Sequence, residues 1–247
     1  MRVLILLIVA QTALALAQEP VDFAGWMRLG ARENSYGQYR RAALAYERAI
    51  AIEPSNPKAL FGLGDAHAAQ FIPANTSPDN LRLEELAIRN LRKAVKFDPA
   101  NAKAMVWLAA FPMYRAQWDE ARVWYENAAA ADALNAVAWA GLGHVLIARS
   151  LPAYRKARTD AGLDDKSEEL FLLDAAGRAE LRSHIGADLD AAVNALQRAL
   201  EIEPKNSRPM ASLYSALVSR AETRVGTDEC EQDIAAAKIW LERSNAA

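Results

Sequence analysis

The chain has one cysteine, Cys230, in 247 residues, so an internal disulfide is excluded. Its three histidines, His67, His144 and His184, lie far apart, and none falls in a His-x3-His or His-Glu-x2-His spacing. The chain therefore lacks a local metal signature. A Gly-x-Ser-x-Gly elbow, a phosphate-binding glycine loop and a Cys-His arrangement are all missing too, which leaves no recognised catalytic motif and implies no cofactor. Charge is nearly balanced, with 29 basic against 31 acidic residues and a formal net of -2. That excludes the broad positive field by which proteins recruit nucleic acid or anionic membranes. No long apolar run occurs after residue 17.

What is present begins with a targeting pattern. Arg2 precedes an apolar run over 3–10, which continues through Ala13-Leu14-Ala15-Leu16-Ala17. A basic start, a short apolar centre and an Ala-x-Ala end describe a secretory signal peptide over 1–17, cut after Ala17 to leave Gln18 first. The apolar run is short for a membrane anchor. With no cysteine after the cut, lipidation there is not expected, and no stable membrane span remains after cleavage.

Residues 26–54 carry the organising pattern. Trp26, Leu29 and Gly30, then Ala42, Tyr46 and Ala49, then Pro54 read Trp-x2-Leu-Gly, Ala-x3-aromatic-x2-Ala and Pro. Trp26 and Leu29 share one helical face. Gly30 and Ala42, without bulk, let two helices approach closely, and Pro54 follows the second helix because it cannot continue it. The frame returns four times, dividing 18–247 into units at about 23–56, 57–101, 102–135, 136–206 and 207–247.

The second unit exceeds the 34-residue standard by about 11 and the fourth by about 37. The second has a loop over 71–80 with Ser77 or Asp79 as candidate helix caps. In the fourth, the extra residues fall between its helices, over 149–188, where Gly177 and Gly186 are expected to interrupt helix formers. So long an insertion suggests use. A further insertion of about 11 in the fifth unit places its last helix at 233–244. Pro112 is expected to kink or shorten the first helix of the third unit.

Five copies of this frame resemble the tetratricopeptide repeat. The resemblance implies an all-α, right-handed solenoid of five helix-turn-helix units with insertions in the second, fourth and fifth. The loops PANTSPDN, PAYRKARTDAGL and GTDECEQD are similar to those of exported bacterial repeat proteins, which implies an envelope protein. In that family the first helices line a concave, partner-binding face. Carried over by spacing, this selects Met27 and Asn34; Lys58, Phe61 and Asp65; Lys103, Val106, Met113 and Tyr114; His144; and Arg208. Such a groove is largely apolar and suits an amphipathic helix or an apolar extended segment of a protein or peptide partner. It lacks the repeated Lys and Asn set by which chaperone-binding relatives hold a peptide carboxylate.

Two other readings are open. Trp107, Tyr114, Trp118 and Trp124 cluster in the third unit and could meet an envelope glycan if exposed. An enzyme would need His144 or His184 to converge with carboxylates. Glu84-Glu85, Asp164-Asp165 and Glu168-Glu169 read as solvated faces, and Arg149, Arg155, Lys156 and Arg158 as a solvated basic rim.

Overall fold

A computed structural model of the chain describes Pro20 and residues 22–162, 173–224 and 226–246. The expected signal peptide, Asp164-Asp165 and Glu168-Glu169 lie outside these. Among the described residues the chain is all-α, and no helix is long and apolar enough to cross a membrane. It divides into two compact units, residues 1–97 and 98–247.

The first unit holds α1 (Phe23–Ser35), α2 (Tyr39–Ile52), α3 (Pro57–Ala68) and α4 (Pro78–Phe97), each packed on its sequence neighbour. Its core joins Ala42, Ala43 and Tyr46 to Leu63 and Ala66. The second unit holds α5 (Ala102–Tyr114), α6 (Trp118–Ala131), α7 (Ala136–Asp160), α8 (Ala175–Ile202), α9 (Ser207–Thr223) and α10 (Thr227–Ala246). There Tyr125, Leu142, Val145, Leu196, Leu213 and Leu217 belong to one buried cluster.

Each first helix starts on a polar cap. The Asp22 carboxylate accepts from the Gly25 amide at 2.7 Å, and Asn56, Asn101, Asn135 and Asn206 do the same for α3, α5, α7 and α9. Each asparagine stands three residues after Glu53, Asp98, Asp132 or Glu203. Asn56 Nδ2 donates to Glu53 at 2.8 Å and Asn206 Nδ2 to Glu203 at 3.0 Å. Asp98 and Asp132 instead accept backbone amides within the turn, at 3.2 and 3.0 Å. The turn therefore survives in the third repeat, where Ala133 replaces proline. Ser77 caps α4, its hydroxyl facing the Asn80 amide at 3.4 Å. The buried Asn80 side chain in turn ties Ile72 and Asn75 into the loop. Pro112 is accommodated within α5, which ends two residues later at Tyr114.

Aromatic side chains fasten successive repeats. A Cβ on Gly62 would come within 2.4 Å of the Tyr46 ring, and one on Gly141 within 2.2 Å of the Tyr125 ring. Each tyrosine stands in the middle of a second helix and lies on the next first helix where that helix has no side chain.

The structure corrects three expectations. Gly177 and Gly186 do not interrupt the fourth-repeat insertion: its described residues lie mostly in α7 and α8, of 25 and 28 residues, and both glycines lie inside α8 without breaking it. The added turns have their own apolar cluster of Leu173, Leu181, Ile185 and Leu189 against Ala153, Tyr154 and Ala157. The last helix begins at Thr227 rather than at 233, so most of GTDECEQD forms its first turns. Glu84 is buried, not solvated.

The supposed basic rim is mostly spent within the chain. Arg149 donates to Asp188 at 2.6 Å and to Asp119 at 2.8 Å. Lys156 pairs with Asp160, while Arg155 is exposed. Arg158 is buried against Glu222 at 3.1 Å, their side chains 6% and 4% exposed. Tyr154 also donates to Glu222, and burial together with that carboxylate pushes the phenol well above its ordinary value. Asp190 draws on Arg182, Arg220 and Arg224, and Arg220 also donates to Asp233 at 2.9 Å. These pairs bind the lengthened hairpin to the last one.

Two stability outcomes follow from this packing. An exposed helical glycine gains about 1 kcal/mol on becoming alanine. At Gly141 the ring contact outweighs that gain, and Gly141→Ala is expected to lose about 1–3 kcal/mol; a gain on urea denaturation would contradict the wedge. Glu222→Ala removes the carboxylate against which Arg158 is buried and should cost about 3–5 kcal/mol, with most of the loss recovered in an Arg158→Met, Glu222→Leu pair.

Candidate functional site

The residues selected by spacing fall into the two units. In the first, Met27 packs against the Tyr46 core, and Asn34 Nδ2 donates to Asp65 at 2.8 Å, joining α1 to α3. Phe61 is half-buried on α3 and Lys58 is exposed at its start. Asp65 lies close enough to Tyr46 to add to the effect of burial in raising its pKa.

In the second unit, Val106, Met113 and Tyr114 of α5, His144 of α7 and Arg208 of α9 line one trough of about 650 Å³. Trp107, Ala110, Val137 and Ala140 add to its walls, Tyr125 and Gly141 also face it, and Asn206 to Pro209 bring in the start of α9. Lys103 is exposed on the first turn of α5 and does not line it. The rim is open, with Val137 58% and Tyr114 46% exposed.

Chemically the trough has mainly apolar walls to which His144, Asn206 and Ser207 add polar groups and Arg208 one fixed positive charge. The Tyr125 hydroxyl sits 3.9 Å from the Met113 sulfur, and burial pushes that phenol up to about 12. His144 has its pKa lowered, first by burial and then by the charge of Arg208. Among the described residues, neither the His144 ring nor the Arg208 guanidinium has a side-chain hydrogen-bond partner, and no carboxylate lines the trough.

The other candidate groups are placed elsewhere. Trp118 and Trp124 pack against the main core, so the four aromatics do not form one exposed platform. Trp107 stacks near Phe111, at 6.4 Å between centroids. His67 is buried, its pKa lowered by burial and by Arg89. His184 is apart from His144, in a cavity of about 490 Å³ with Asp160, Asp174 and Glu180. It is exposed there, with Nδ1 2.9 Å from the Glu180 carbonyl of its own helix. Among the described residues no group of three or more His, Cys, Asp or Glu side chains could hold a metal ion. Cys230 is a buried free thiol whose pKa is raised chiefly by that burial.

Successive helix hairpins with small residues at close approaches form a helical-repeat fold, and in the second unit its first helices line a trough. The family model described as TPR repeat matches residues 30–70, and the fold class is that of tetratricopeptide solenoids. A crystal structure of MamA protein is similar over 91% of this chain and 94% of its own, at 18% identity and TM-score 0.57. MamA 41-end from Desulfovibrio magneticus RS-1 is similar over 93% and 98%, at 16% identity and TM-score 0.56. A putative protein binding protein from Bacteroides ovatus covers 82% of this chain and 100% of its own, at 17% identity and TM-score 0.50. No curated protein matches the chain in sequence. Tetratricopeptide repeats generally mediate protein–protein interaction.

Because burial and Arg208 both disfavour the imidazolium, His144 should remain neutral as pH falls through the ordinary value of 6.5. In an NMR titration Arg208→Ala is expected to raise the His144 pKa without restoring it fully, since burial is the larger cause. No change on that substitution would show that Arg208 does not act on the ring.

Proposed function

We propose that the chain is a protein-binding scaffold of the bacterial cell envelope, acting by stoichiometric association rather than by chemistry of its own. The observation that carries this reading is the open apolar trough across α5, α7 and α9, which suits an apolar segment of a partner. The helices are formed beforehand, so little backbone ordering opposes association. The bound segment would cover Val106, Ala110, Met113, Val137 and Ala140, and Met113 can adapt its shape to more than one side chain. The envelope assignment rests on the basic, apolar and Ala-x-Ala order of residues 1–17.

Tyr114 and Val137 are exposed enough to substitute without emptying the core. A Tyr114→Glu, Val137→Glu chain, shown to be folded by circular dichroism, should lose at least tenfold in capture of a partner that the unaltered chain holds from envelope extract. Cytosolic extract should yield no such partner. Equal capture by both chains would move the site away from the trough.

A further inference from the structure

Several arginines of the second unit are spent on carboxylates of the same unit. Arg149, Arg158, Arg182, Arg220 and Arg224 each hold at least one carboxylate. Arg208 does not: among the described residues it has no ion pair, and it stands on the first turn of α9 at the edge of a trough lined by no acid. His144 faces the same space with its ring nitrogens unengaged, near enough to feel the charge of Arg208. A wholly apolar occupant would leave both groups without hydrogen-bond partners as it excluded water, which carries a penalty.

We infer that the partner segment presents an aspartate or glutamate side chain, flanked by apolar residues, to Arg208 and His144. This rests on the scaffold reading above and specifies its partner. A guanidinium binds a carboxylate through two parallel N–H donors, and neutral His144 can donate one more hydrogen bond from a ring N–H. The amino end of α9 adds a favourable dipole. One fixed cation among apolar walls fits a single anion rather than a polyanion. The exposed rim at Val137 and Tyr114 leaves the trough open, so a chain can pass along it with the acid inside its length rather than at its end.

The test uses fluorescent eight-residue peptides built from Leu, Met, Phe and Ala around a central Glu, Gln or Lys. Both ends are blocked by acetyl and amide groups, and a further set has a free carboxyl end. Anisotropy with the purified chain should show Glu peptides binding at least tenfold more tightly than their Gln counterparts. Arg208→Gln should remove the difference, and Arg208→Glu should reverse it toward Lys. Arg208 is exposed, so both variants should fold, as circular dichroism can verify. Equal affinity for Glu, Gln and Lys peptides overturns the acidic-partner inference while leaving the scaffold reading standing. Binding only of peptides with a free carboxyl end overturns the side-chain assignment. No binding of any peptide by the unaltered chain overturns both.

Discussion

The contact on which each unit depends is a tyrosine ring laid on a glycine. Tyr46 meets Gly62 in the first unit and Tyr125 meets Gly141 in the second. The ring stands in the middle of a second helix and fills the space where the following helix lacks a side chain, so helices of successive hairpins approach closely. Even a methyl group at Gly62 or Gly141 would fall within 2.4 Å of ring carbons, far inside ordinary contact. Packed interiors have few gaps to absorb such a displacement. The trough inherits this constraint, because Tyr125 and Gly141 also line it.

The repeat frame was legible because it is written in residue size at fixed intervals. Gly30, Ala42, Tyr46 and Ala49 show where helices come close, and spacing along a helix says which side chains share a face. Hence Val106, Met113, Tyr114, His144 and Arg208, carried over by spacing from the family resemblance, line one trough. Lys103 shares the helix but stands too near its start. A second signal went unread: Glu53, Asp98, Asp132 and Glu203 are each followed three residues later by asparagine, and these asparagines cap the first helices of four repeats. That signal marks repeat boundaries even where Ala133 replaces proline.

Long-range pairing was not legible in the same way. Arg149 meets Asp188 and Arg158 meets Glu222 across 39 and 64 residues. Such partners depend on how far two helices extend and how they are rotated, and a 34-residue period does not specify the rotation of added turns. Gly177 and Gly186 were expected to interrupt the helix formers of the insertion because glycine lowers helix propensity. Tertiary burial of Leu181, Ile185 and Leu189 outweighed the cost of about 1 kcal/mol per glycine. Glu84 illustrates the same limit, since local sequence did not reveal that it is buried.

The distribution of charge then separates structural arginines from the one facing the trough. Length alone made the fourth-repeat insertion the leading candidate for function. Its principal cations are neutralised by carboxylates from neighbouring helices, and the Arg158–Glu222 pair is shut away from solvent. A buried pair contributes little net stability once desolvation is counted, but breaking it is costly. It therefore fixes the lengthened hairpin in place more than it offers a surface. The trough is the opposite case: its walls are apolar, its floor is set by the Tyr125–Gly141 contact, and its one fixed charge is unmatched. Arg149 and Arg158 of the insertion already hold carboxylates, whereas the charge at the trough can be completed by a ligand, and this asymmetry favours α5, α7 and α9 over that part of the insertion as the binding surface.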